Sequence, residues 1–154
     1  MRLLVVSDSH GNYPHLLKAH ELAGPVDHII YLGDGAADAR LMEQVLEVPV
    51  LRVAGNCDAD PSLPLELTLE LGPCRVFLTH GNRQLVKSGL RALVDRGIEV
   101  GASVILYGHT HRPAVQMESG MLLVNPGALK YGFPQSYAIL TLSGSEARAE
   151  IFRL

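Results

Sequence analysis

The chain has no tryptophan, only two cysteines and no long apolar run. Each shortage closes off a class of protein. Cys57 and Cys74, neither in a C-x-x-C, cannot frame a disulfide-stapled domain or a cysteine-rich structural zinc site. The apolar run ahead of Ser7 is only Leu3 to Val6, too short for a signal-peptide core or a membrane span. The two cysteines therefore read as reduced thiols of a cytoplasmic protein, with no membrane partner. Basic charge is not in excess either. Thirteen Lys and Arg against 16 Asp and Glu leave a formal net charge of -3, which gives no field for gripping nucleic acid in bulk. What remains is globular: 154 residues, 47% apolar and 19% charged, enough for one compact domain over 1–154 and too few for two.

The hydrophobic pattern changes style partway along. "RLLVVSD", "HIIYLGD" (28–34) and "VLRVAGN" (50–56) are continuous β-rich runs, as expected for strands buried on both faces. Between them lie helical stretches. In the first, Leu16, Leu17, Ala19 and Leu22 are apolar and Gly24-Pro25 terminates; the second covers 38–47. Right-handed crossovers then dictate a parallel sheet with its loops gathered at the strands' C-terminal ends. From Leu65 onward strands dominate. "LELTLEL" alternates with period two and turns through Gly72-Pro73 into "CRVFLTHG". A helix over about 86–100 sets Leu90, Leu93, Val94 and Ile98 on one side, and "SVILYGHTH", "AVQME", "MLLVNPG", "SYAILTL" and "ARAEIF" follow. The simplest α/β architecture that buries so many strands is two packed sheets flanked by helices.

Polar chemistry is concentrated where these runs stop. Asp8-x-His10 follows the first strand, Gly33-Asp34 the second and Gly55-Asn56 the third; His80-Gly81 and Gly108-His109-Thr110-His111 end two later ones. In Asp-x-His and His-x-His, alternation along an extended segment would put both side chains on one face. A lone His80 would read as a satisfied strand-end histidine, and Asp8 alone as a helix N-cap. The repetition at five strand ends favours metal ligation over both. Two carboxylates, four imidazoles and an amide oxygen form a borderline-hard donor set that suits Mn, Fe, Zn, Ni or Co better than calcium. Seven groups exceed what one open ion needs and match two ions that share a carboxylate. His15, His20 and His28 fall outside every motif. Arg83 and Arg112, beside the histidine motifs, read equally as substrate contacts or as solvated arginines.

In this order, the five motifs resemble those of the calcineurin-like metallophosphoesterase superfamily, and in length its small single-domain prokaryotic phosphodiesterase branch. "VNPGA" (124–128) resembles that family's trailing "NPGS", so the likeness covers nearly the whole chain. The resemblance implies a four-layer α-β-β-α double β-sandwich. It implies that Asp8, His10 and His111 hold one divalent ion and Asn56, His80 and His109 the other, with Asp34 bridging. Manganese is the first expectation for both. It further implies in-line attack of a metal-bridging hydroxide on a small phosphoester, with Asp34, Asn56 and His109 in the catalytic set. Two divalent ions, two carboxylates and a hydroxide leave the site about one positive charge, which attracts an anionic ester despite the negative chain.

One departure bears on the chemistry. Many relatives place a histidine acid after the Gly-Asn motif, oriented by the second aspartate of Gly-Asp-x-x-Asp-Arg. Here Cys57 stands there, and "GDGAADAR" puts Asp38 one residue further along. Protein Ser/Thr phosphatase activity is not expected. Cys57 joins the catalytic set as a lining residue that assists leaving-group departure. Cys74 reads as a core thiol. A phosphomonoesterase with the same site is the alternative enzyme, and a retromer-type binding scaffold, which shares this fold, is the alternative outside catalysis. A homo-oligomer is compatible with either.

Overall fold

A computed structural model describes all residues, 1–154. The continuous apolar runs form β1 (Arg2–Val6), β2 (His28–Tyr31) and β3 (Val50–Arg52), linked by α1 (Tyr13–Ala23) and α2 (Ala36–Val45). They pair in parallel, β1 with β2 and β2 with β3. The chain then builds a second sheet from β4 (Glu66–Leu71), β5 (Cys74–Thr79), β6 (Val104–Leu106), β7 (Ala114–Glu118) and β8 (Met121–Asn125), with α3 (Arg91–Glu99) between β5 and β6. Finally β9 (Ser136–Ser143) and β10 (Glu146–Arg153) return to the first sheet. The sheet orders are β10-β9-β1-β2-β3 and β4-β5-β6-β8-β7. Each is mixed, with three parallel strands and antiparallel neighbours.

Alternation along the strands sorts the core into layers. Leu3, Val5, Ile30, Val76, Leu78, Leu106 and Leu140 face the space between the sheets. Leu4, Val6, Ile29 and Tyr31 face the other way, onto Leu16 and Ala19 of α1 and Met42 of α2. Phe77, Ile105 and Leu123 pack on Leu93 of α3. Every face of every central strand is thus covered, which explains why these strands read as uninterrupted apolar runs. The layering is α-β-β-α, as expected for the double β-sandwich.

Three details depart from the sequence reading. Helix α2 starts two residues earlier, at Ala36, and α3 starts at Arg91, because residues 82–88 form a succession of turns. Leu22 and Ile98, placed on apolar faces by periodicity, are exposed; Ala23 and Gly97 occupy the buried positions beside them. Gly97 packs closely there: an added Cβ would lie 2.3 Å from Ile105 Cδ1, so that side chain would have to move.

Candidate metal centre

The parallel strands β1, β2, β3, β5 and β6 each end in a loop that carries one motif, and the two sheets bring those loops to one side of the sandwich. All seven expected ligands meet there. His111 Nε2 lies 3.0 Å from Asp8 Oδ1, and His10 Nε2 lies 3.7 Å from both Asp8 Oδ1 and Asp34 Oδ2. His80 Nε2 is 3.3 Å from Asp34 Oδ2, 3.1 Å from Asn56 Oδ1 and 3.1 Å from His109 Nδ1. Two triads of ligating atoms result, Asp8-His10-His111 and Asp34-His80-His109, with Asp34 also reaching His10.

The route to this convergence differs from the alternation expected. Asp8 and His10 do not lie on an extended segment, nor do His109 and His111. All four adopt left-handed backbone, with φ of 53°, 46°, 67° and 59°, and Asp34 joins them at 60°. Asp and His tolerate this region better than most residues, but it remains a local cost that the surroundings must impose. In consequence His109 turns toward His80 while His111 turns toward Asp8. Close backbone approach completes the geometry. A Cβ on Gly108 would fall 2.1 Å from Ser7 Oγ, and one on Gly55 would fall 2.1 Å from Asp34 Oδ1.

His80 Nδ1 lies 2.7 Å from Leu32 O. A carbonyl oxygen only accepts, so Nδ1 carries a proton and Nε2 is the ring atom turned toward three more ligand-type atoms. His10 Nε2 is buried with no hydrogen-bond partner at all. Imidazole, carboxylate and amide groups converging at such distances fit divalent cations of the borderline class. Dinuclear binding is what the two overlapping triads are shaped for.

Charge states agree. Burial would raise the Asp8 carboxyl, but hydrogen bonds from His111 and Ser7 and the nearby His80 outweigh it and hold Asp8 below the usual carboxylate range. Asp34 is lowered further. Burial opposes this too, and His80 together with the Cys57 backbone N–H, 2.8 Å from Oδ1, overcomes it. Burial would depress His80, yet Asp34 and Asp8 raise it above the ordinary imidazole value. His109 shifts down, first from burial and then from the charges of His80 and Lys87, so it stays a neutral ligand.

Other residues gain roles that their spacing did not reveal. Asp58 accepts four backbone hydrogen bonds, from Asp34 and Gly55 on Oδ2 and from Gly35 and Ala36 on Oδ1, all at 2.8–2.9 Å. Asp38, buried on α2, accepts from the Ser9 hydroxyl and, at 2.9 Å, from Gly11 N, with Tyr31 Oη 2.6 Å from the same Ser9 oxygen. Asn125, within the "VNPGA" stretch, donates to Gly108 O at 2.9 Å and to Thr110 Oγ1 at 3.1 Å. Asp8 is not the cap of α1, whose N-cap position is Asn12. Cys74 is buried in the core, and Cys57 is exposed with its sulfur grouped with His10 and Asp34. Burial and then the carboxylates of Asp34, Asp58 and Asp8 push the Cys57 thiol up.

Residues 1–145 match the family model described as the calcineurin-like phosphoesterase superfamily domain. The chain belongs to that superfamily. It is 35% identical to a probable metallophosphoesterase, YsnB, of Bacillus subtilis (strain 168), over 99% of this chain and 90% of that protein. It is 31% identical to the phosphodiesterase YfcE of Escherichia coli (strain K12), covering 91% of this chain and 87% of that one. The solved YfcE structure superposes with a TM-score of 0.67 at 28% identity, over 92% of this chain and 88% of the other. Vps29 of Entamoeba histolytica, solved in complex with zinc, superposes at 0.82 over 100% and 98% of the chains; at 19% identity it shares the fold alone. No helix in the protein is long and apolar enough to cross a membrane.

Proposed function

We propose that residues 1–154 form one metallophosphoesterase domain that hydrolyses small phosphodiesters. In this reading Asp8, His10 and His111 hold one divalent cation, and Asn56, His80 and His109 hold the other. Asp34, whose Oδ2 lies 3.3 Å from His80 Nε2 and 3.7 Å from His10 Nε2, would be the carboxylate shared by the two. The observation that carries the proposal is the surplus of converging lone pairs: seven ligand-type side chains, one of them a buried imidazole nitrogen with no partner. The phosphodiesterase relative supports diesters over monoesters as the substrate class. Manganese is the favoured ion, and a zinc-bound structure in the same fold makes zinc the first competitor. The cytoplasm is the proposed location.

Bound there, a pair of divalent ions supplies Lewis acidity toward phosphoryl oxygens and lowers the pKa of coordinated water. The chain's own residues make that site usable. Asp8 and Asp34 stay ionised and are fixed by the backbone N–H groups of His109 and Cys57, at 3.0 and 2.8 Å. The Leu32 carbonyl sets the tautomer of His80 so that Nε2 faces inward. Cys57 lines the edge of the site beside Asp34, where it can assist a departing oxygen.

The test is direct. Protein stripped with chelator and reloaded with Mn²⁺ should hydrolyse bis(4-nitrophenyl) phosphate, and Asp34→Asn or His109→Ala should lower kcat/KM by roughly 10³-fold or more. Wild-type protein that is inert toward diesters and monoesters with Mn, Fe, Zn, Ni and Co would sink the hydrolase reading and favour a binding scaffold. Against that second reading, no expected ligand position is lost from this chain.

A further inference from the structure

A cavity of about 360 Å³ opens beside His111, and its lining holds Arg112, Phe133 and Arg153 but no acidic side chain. Three separate segments build it. Arg112 continues the loop after β6, Phe133 comes from the β8–β9 connection, and Arg153 ends β10 opposite Ser136 at the start of β9. The Phe133 ring meets His111 edge-to-face, with centroids 5.0 Å apart, so the cavity wall is continuous with the metal centre. Outside the lining, Lys130 Nζ lies 5.6 Å from the Phe133 centroid. Arg112 and Arg153 form no ion pair, as is also true of Arg2, Arg40 and Arg83; Arg52, Arg75, Arg91, Arg96 and Arg148 each form one.

The other flank of the centre has the opposite character. The cavity beside Cys57, about 770 Å³, presents Asp58 and Asp60 with a single arginine, Arg40. Charge therefore changes sign across the site, from cationic beside His111 to mainly anionic beside Cys57. Two guanidinium groups without an ion pair border one concavity, and a planar fork suits carboxylate or phosphate oxygens. The chain's negative total makes this local excess stand out. Its size suits one arm of a small molecule and not a polymer.

We infer that the Arg112–Arg153 cavity is a substrate subsite for an anionic group on the ester arm that is retained when the diester is cut. The preferred substrates are then phosphodiesters carrying a second negative charge, a carboxylate or a further phosphate, a few bonds from the reacting phosphorus. That charge enters beside His111, and the leaving oxygen departs toward Cys57. The inference rests on the phosphodiesterase reading above.

Three 4-nitrophenyl diesters test it, identical except that the retained arm is propyl, 3-carboxypropyl or 3-phosphonooxypropyl. Mn-loaded wild type should favour the anionic arms by about 5- to 30-fold in kcat/KM, as expected for one or two partly exposed charge pairs, and phosphate over carboxylate. In Arg112→Ala/Arg153→Ala the ratio of anionic to neutral substrate should fall to about one. In Arg148→Ala, on the far part of β10 and paired with Glu150, it should stay at the wild-type value. Calorimetry of the product monoesters gives a readout free of turnover: 3-carboxypropyl phosphate should bind more tightly than propyl phosphate, and the double variant should lose the difference. Hydrolysis without any preference for anionic arms overturns the subsite and leaves the hydrolase intact. Discrimination in binding without hydrolysis of any ester keeps the subsite and overturns the hydrolase. Absence of both overturns both.

Discussion

Removing the Asp58 carboxylate should cost more stability than a half-buried loop residue ordinarily does. Its two oxygens take four backbone N–H groups from two loops, those of Asp34, Gly35 and Ala36 after β2 and that of Gly55 after β3. Two of the donors, Gly35 and Ala36, open α2, so the carboxylate also faces the positive end of that helix. A hydrogen bond to a charged group is worth about 1.5–3 kcal/mol when one partner is deleted. Four such bonds cannot simply be added, because the loops relax and water reaches some of the freed donors. Taking about half of the total gives about 3–6 kcal/mol for Asp58→Ala. For a chain of this length each kcal/mol moves Tm by about 2–4 °C, so a drop of about 6–24 °C is expected. Asp58→Asn keeps one oxygen for two donors and turns an NH2 toward the others, so its loss should be smaller. The assay is thermal unfolding of chelator-treated protein, which removes any contribution from metal. A fall of less than about 3 °C in folded Asp58→Ala would refute the idea that this carboxylate ties the two loops together.

Two more outcomes follow from the charged groups. His80 has a folded pKa above its ordinary 6.5, so the stability it contributes is complete below pH 6.5 and is lost as pH rises through the folded value. His109 shifts in the opposite sense, so the informative quantity is the Tm difference between metal-free wild type and His80→Gln, which should shrink from pH 5.5 to 8.5; a difference that grew with pH would contradict the assignment. At Cys57, replacement by alanine should spare aryl diesters and slow alkyl diesters by less than about tenfold, since the thiol assists without being the full proton donor. A selective loss of about a hundredfold or more for alkyl esters would make it the general acid, and equal rates for both would leave it a wall.

Much of this was legible because the sandwich hides its central strands on both faces. Such strands announce themselves as apolar runs, and a polar residue at their end has nowhere to go except the loop side. That is why Asp8, Asp34, His80, His109 and His111 could be placed together before any coordinates. Local patterning was weaker where tertiary contact decides. Periodicity put Ile98 on the buried side of α3, but it is Gly97 that packs against Ile105 there while Ile98 is exposed. The left-handed turns at Asp8, His10, Asp34, His109 and His111 were not readable, because alternation describes extended chain and nothing in D-x-H or H-x-H says that the chain has left it. Asp38 shows the same limit. By spacing it had no histidine to orient, yet the fold carries it under the β1–α1 loop to Ser9 and Gly11.

The strained ligands and the overlooked polar residues explain each other. Five of the proposed ligand residues sit in a backbone region that persists only when neighbours over-determine it. Each ligand-bearing loop has such a neighbour, supplied from elsewhere in the chain. Asp38 holds the loop of Asp8 and His10, and Asp58 holds those of Asp34 and Asn56. Asn125 holds the loop of His109 and His111 by donating to Gly108 O and Thr110 Oγ1. The Leu32 carbonyl does the same for the His80 ring. None of the three side chains belongs to the metal-ligand set, and each bonds loop backbone, so their work is to keep the donors converged before a cation arrives. A site organised in this way spends its strain during folding, and leaves binding of the ions to gather only the cations and not the protein.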